Sequence, residues 1–227
     1  MKPYSLLGFA LMGIMCIVSN GGASGNSTGP LRGEVLFDYG IIGKIGENAD
    51  TLIQVRDNDI MNSGDLIRIM FNRALDSFFY VILKMSNDDY SLFYSAKPAS
   101  GSSTATMTLE SLEWLQLDEE PGTETVFLVS SKDQLVDLEN SFSTYEASRG
   151  EDRRDQENRI RSLLTTYTER GTDSKITETA LLATVDKRTN IGRIYRGPYD
   201  EQNQRQYLFS RCTGPSVIGD MIRIIHR

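Results

Sequence analysis

Histidine and cysteine are nearly absent from this chain of 227 residues: His226 is the single histidine, and Cys16 and Cys212 are the two cysteines. That scarcity excludes a zinc module built from four Cys and His ligands and a disulfide framework. It also deprives most hydrolase chemistries of their usual base. A long apolar run is missing as well. The longest, from Leu6 to Val18, is shorter than the ~20 apolar residues that cross a bilayer. Phosphate-binding and catalytic signatures are absent in turn. YGIIGKIG places its glycines at 40, 43 and 46, which is not GxGxxG, and no GxxxxGK[ST], GxSxG or HExxH occurs.

What the chain does carry begins with MKPYSLLGFALMGIMCIVSNGGASGNSTGP. One cation, an apolar core, then small and polar residues form the order of a secretory signal peptide. Two processing routes fit. Gly21-Gly22-Ala23 suits an ordinary signal peptidase, which predicts a signal peptide over 1–23, a tether over 24–33 and a β-rich domain over 34–227. Alternatively Cys16 becomes the lipidated first residue of a bacterial lipoprotein, although Gly13 and Met15 in GIMC replace the usual Leu and small residue. Either way the reading expects an exported protein of the periplasm, the cell envelope or the medium, attached to a membrane only through a lipid.

Removal of residues 1–23 takes away only Lys2, so the net charge of −7 becomes −8. That sign argues against a protein whose whole surface is built to grip nucleic acid. The charge is uneven: from Lys187 to Arg227 there are eight basic and three acidic residues. Either this basic tail packs back on an acidic body, or it faces an anionic polymer.

Periodicity predicts strands first and helices later. Val35, Phe37 and Tyr39 alternate with Leu36 and Asp38 up to the glycines of YGIIGKIG. Ile53 and Val55, then Ile67, Ile69 and Phe71, repeat the period of two. RDNDIMNSGD between them reads as a hairpin loop. FFYVILKM from Phe78 is apolar without a break as far as Leu83, as a central strand covered on both faces must be, and Asn87-Asp88-Asp89 turns it into SLFYS. KPASGSSTATMT is a polar loop, LEWLQL leads to a turn, and TVFLVS is the next strand. Ser131 with Gln134 fits a capping box ahead of Leu135, Leu138, Phe142 and Tyr145 at helical spacing. A second helix is predicted from Glu151 to Arg170, with Ile160, Leu163, Leu164 and Tyr167 as its apolar stripe. Asp155–Arg159 and Glu157–Arg161 are spaced for i,i+4 pairing. Strands TALLATV, GRIYRG, QYLFSR and MIRIIHR close the chain. The expected fold is mainly β within the α+β class: an antiparallel sandwich or barrel-like sheet with one or two packed helices.

Candidate chemistry is sparse. Cys212 and His226 are close enough in sequence for strands to bring them together, but SRCTGP is no protease signature and His226 stands where chains fray. Asp57, Asp59 and Asp65 share one loop, yet an EF-hand numbered from Asp57 has Met61 at position five and Arg68 at twelve, so the motif fails. No catalytic residue, metal ligand or cofactor is therefore assigned. Arg193, Tyr195, Arg196, Tyr199, Arg205 and Tyr207 interleave cations with aromatics, as ligand-gripping surfaces do and as half-buried strand tyrosines also do. In DEEPGTETVFLVSSKDQ, Asp118, Glu119 and Glu120 precede the Pro121-Gly122 turn with no histidine placed to make an acid–base pair, and Glu124 stands where it can accept backbone N–H groups.

The series NSGDLIRIMFNRALDSFFYVILKMSNDDYSLFYS, followed by LEWLQLDEEPGTETVFLVSS, resembles the bacterial domain of unknown function family DUF 4384 over residues 50 to 145. Ser63-Gly64-Asp65 opens a strand, Phe78 to Leu83 is the apolar run, Leu92 to Tyr94 the return strand, and Pro121-Gly122-Thr123-Glu124 the turn before the last strand. Ser95 stands where a proline often follows the aromatic. The resemblance implies a small β-rich module of the cell envelope, without an established activity, in a binding or structural accessory role; the reading adopted is a non-enzymatic module with a protein or envelope-polymer partner. The alternatives left open are an envelope hydrolase using the acidic loops or Cys212, and a basic C-terminal region that takes glycans or anionic polymers.

Overall fold

A strand with alternating apolar residues must find a partner for each apolar face. In the computed structural model, which describes residues 34–45, 51–100, 107–170, 177–185, 192–195 and 207–227, β1 (Val35–Ile45) sends Val35, Phe37, Tyr39 and Ile41 into one core and Ile42 to the opposite face. It lies inside an eight-stranded sheet with β2 (Thr51–Val55), β4 (Leu66–Ala74), β7 (Met107–Ser111), β8 (Leu115–Gln116), β10 (Thr177–Val185), β11 (Gly192–Tyr195) and β12 (Tyr207–Gly214). The order is β11-β10-β12-β1-β4-β7, with β2 joined to β1 and β8 to β4. A five-stranded sheet faces it: β3 (Asp59–Met61), β13 (Val217–His226), β9 (Gly122–Ser131), β5 (Phe78–Lys84) and β6 (Tyr90–Ala96), in that order.

Between the sheets the core is aromatic and aliphatic. Phe71 stacks on Phe79 with ring centroids 4.6 Å apart, and Phe37 meets Phe79 edge-on at 5.3 Å. The other face of the second sheet, carrying Tyr80, Ile82, Phe127 and Val129, is covered by two helices, α1 (Val136–Ala147) and α2 (Gly150–Arg170). Leu138, Phe142, Ile160 and Leu164 supply the apolar stripes. β5 is thus covered on both faces, as its unbroken apolar run predicts. The fold is the expected mainly β sandwich with two packed helices.

Several local expectations are corrected. β1 does not stop at its glycines but runs through Gly40 and Gly43. A Cβ on Gly43 would come within 3.0 Å of both Met61 and Val55, so the glycine serves close packing. β2 and β4 do not form a hairpin, because β1 lies between them, and RDNDIMNSGD contains the short strand β3, parallel to β13. The capping box is not formed: Ser131 belongs to β9, and Leu135 caps α1 without a side-chain bond. Arg159 pairs with Asp137 on α1 at 3.4 Å and not with Asp155, whereas Glu157–Arg161 forms as spaced. Met107 and Thr108, read as loop, begin β7.

Candidate functional site

The Ser63-Gly64-Asp65 loop and the start of β9 reach the same end of the sandwich. β13 runs antiparallel to β9, with His226 opposite Gly122 and Ile224 opposite Glu124, and parallel to β3, with His226 opposite Met61. Ile222 and Ile224 face the inter-sheet core, so the period of two puts His226 on that side at its margin. Glu124 falls there too, two residues before core-facing Val126. Loops complete the site. Ser63 N–H donates to the Arg227 carbonyl at 3.0 Å, Gly64 N–H to Leu117 O at 3.0 Å, and Leu117 N–H returns to Asp65 O at 2.9 Å. Asp65 also accepts the Asn62 N–H at 2.8 Å. Gly64 has φ +86°, a left-handed conformation that favours glycine. Gly122 is needed for a different reason: a Cβ there would sit 2.6 Å from Ser86 Cβ.

Here the expectation that no histidine accompanies the acidic stretch is overturned. His226 is not frayed; it is paired on both edges and 2 % exposed. Its Nε2 lies 3.0 Å from Ser63 Oγ, and its Nδ1 lies 3.8 Å from Asp118 Oδ1. Glu124 Oε1 accepts the Ser86 N–H at 3.4 Å, so it does bind a backbone N–H, but that of the β5–β6 connection and not of its own turn. Burial pushes the Glu124 carboxyl above its ordinary value; the Ser86 N–H opposes this, the Asp118 charge adds to it, and His226 and Lys84 oppose it. Asp118, Glu124 and His226 each bring one ligand-type atom within 4.8 Å of the other two. Sequence spacing hid this grouping, because only strand pairing sets residue 226 beside residue 124.

A second feature lies where the two sheets open toward solvent. A cleft of about 300 Å³ is lined by Tyr39, Gln54, Val55, Ser210, Asp220 and Met221. Tyr39 OH donates to Asp220 Oδ2 at 2.7 Å, and burial, reinforced by that carboxylate, pushes the phenol up. Along the cleft β13 exposes Met221 and part of Asp220, while Val217, Ile218, Gly219 and Ile222 are buried. β3 covers one edge of β13 only over Ile224–His226, so from Val217 to Ile222 that edge has no strand neighbour among the described residues.

The remaining candidates separate. Cys212 is buried beside Asp220, whose Oδ2 lies 3.8 Å from its Sγ, and is not brought to His226, which lies farther along β13. Asp57, Asp59 and Asp65 do not converge. Asp57 takes Arg223, Asp59 the Arg56 N–H and Asp65 the Asn62 N–H. Arg193 and Tyr195 lie on β11 and Tyr207 on β12, whereas Arg196, Tyr199, Arg205 and Cys16 lie outside the described residues. Within residues 207–227 the tail packs back on the body. Arg211 clamps both oxygens of buried Asp38 at 2.6 and 3.0 Å, and Arg223 clamps Asp57. No family model, no curated protein and no solved structure matches the chain.

Proposed function

We propose that this chain is an exported, non-enzymatic module of the bacterial cell envelope that holds a protein or polymer partner. The observation that carries the reading is the cleft beside Asp220 and Met221 of β13, a length with no strand neighbour on one edge among the described residues. An exposed strand edge recognises an extended chain through main-chain hydrogen bonds, and the adjacent pocket sorts its side chains. Met221, 39 % exposed, supplies an adaptable apolar contact at the rim. The leader-like N-terminal sequence and the resemblance to DUF 4384 support the location.

One observation favours a second reading. Ser63, His226 and Asp118 stand in the spatial sequence of nucleophile, base and orienting acid, as an envelope hydrolase would require. The hydrogen bonding does not demand it. The Ser63 hydroxyl can donate to the Arg227 carbonyl at 3.4 Å and leave its oxygen to accept from His226, a polarity that is the reverse of base activation. Photocrosslinking in intact cells separates the readings: a crosslinker at Met221 should give a discrete adduct, and one at exposed Glu146 on α1 should give none. Absence of the Met221 adduct, or Ser63-dependent release of soluble fragments from purified sacculi, would replace this reading with the hydrolase.

A further inference from the structure

We propose that Asp118, Glu124 and His226 form a binding site for a divalent transition metal, with zinc the best-fitting ion. Two carboxylates alone would mark only a solvated acidic corner. The deciding observation is the histidine between them. His226 has a fully buried side chain, and among the described residues its Nδ1 has no hydrogen-bond partner. That atom is aimed at Asp118 Oδ1, 3.8 Å away, beyond hydrogen-bond range. A buried polar atom of this kind ordinarily finds a partner.

The neighbouring hydroxyl permits an arrangement that frees Nδ1. Ser63 Oγ lies 3.4 Å from the Arg227 carbonyl and can donate its one proton there, and it can then accept an Nε2–H from His226 at 3.0 Å. With Nε2 protonated in the neutral ring, Nδ1 carries a bare lone pair. That lone pair lies 3.8 Å from Asp118 Oδ1, and ligand-type atoms of Asp118, Glu124 and His226 all lie within 4.8 Å of one another, a grouping that a cation can bridge. A ligating histidine that donates its other N–H to a fixed oxygen is the usual arrangement in metal centres, because that bond sets the ring's orientation and tautomer.

Donor chemistry selects the ion. Calcium and magnesium take oxygen ligands, and an imidazole nitrogen with two carboxylates suits zinc, which forms bonds of about 2.0–2.2 Å to both donor types. Ligand atoms around a tetrahedral zinc stand about 3.4 Å apart. The 3.8 Å between Nδ1 and Asp118 Oδ1 is close to that; Asp118 lies on the β8–β9 connection with its side chain 57 % exposed, and its Oδ1 also accepts the Glu120 N–H at 2.8 Å. The ion would join this connection and the start of β9 to the last strand, while three protein ligands leave a fourth position for water.

His226 is the only histidine, so its ring nitrogens can be followed by NMR without assignment. The purified protein, stripped with chelator, is titrated with Zn²⁺ or Co²⁺ against a chromophoric competitor, with Ca²⁺ and Mg²⁺ as controls. Expected are one saturable Zn²⁺ site, a shift of Nδ1 with Nε2 still protonated, and at least tenfold weaker binding in Asp118→Asn and in Glu124→Gln. Ca²⁺ and Mg²⁺ should not displace zinc. Asp118 is exposed on a loop, so Asp118→Asn folds even if a His226 variant does not. Failure of the wild type to saturate, zinc affinity in both carboxylate variants equal to that of the wild type, or a proton on Nδ1 that persists at saturating zinc would each overturn the site.

Discussion

Cys212 lies 1 % exposed in the inter-sheet core, where burial, with the Asp220 charge as the next cause, pushes its thiol up and away from the reactive thiolate. Native protein should resist alkylation at Cys212 and become fully labelled only in denaturant, as read by mass spectrometry; rapid labelling of the native fold would contradict the buried position. Asp57 behaves in the opposite sense. Hydrogen bonds from the Arg223 side chain hold its carboxyl below its ordinary 3.8. A depressed folded value means that the stabilisation is present above the unfolded value and is lost as pH falls through the folded one. The pair is largely exposed, so the effect is small. Asp57→Asn should lower Tm by at most about 4 °C near neutral pH, and the gap to wild type should shrink below about pH 4 and close as Asp57 protonates. A gap that stays constant into acid would show that the carboxylate charge is not what stabilises the pair.

At the scale of elements, the Pro-Gly turn takes on a different meaning. Gly122 reads in the sequence as a turn former, yet it is the first residue of β9 and is required because Ser86 of the β5–β6 connection packs against its Cα. Gly122→Ala should destabilise the fold by about 1–3 kcal/mol, the range for overpacking, in urea titration; a loss below about 0.5 kcal/mol would mean that Ser86 moves freely. The helices are legible for the reason that makes them stable: Leu138, Phe142, Ile160 and Leu164 recur at 3.6-residue spacing and meet one apolar sheet face. Their fixing to the β5–β6 turn is not legible. Tyr145 OH and Arg153 both donate to Asp89 Oδ1, at 2.8 and 2.6 Å, a grouping assembled across 64 residues of sequence.

For the whole molecule, the C-terminal segment is structure and not an appendage. β12 pairs with β1 in one sheet, and β13 lies between β3 and β9 in the other. Removal of residues 217–227 should therefore abolish cooperative thermal unfolding; a sharp single transition in the truncated chain would show that the sandwich closes without β13. For the same reason deletion of 187–227 cannot test polymer binding by the basic segment. Substitution of Arg193, Arg196 and Arg205 to alanine, with binding to anionic envelope polymer as the measurement, addresses that reading while leaving β12 and β13 intact, and undiminished binding would remove it.

The sequence by itself determined which segments alternate, which are apolar on both faces and which wind into helices, because those properties depend on neighbours one to four residues away. It also determined what chemistry is scarce, since a single histidine bounds the number of sites that need one. Only the tertiary structure decided that this histidine is buried beside Asp118 and Glu124, that Cys212 faces Asp220, and that Asp220 and Met221 of β13 line a cleft. These depend on strand order and register, which long-range burial selects among many pairings that local alternation permits equally well.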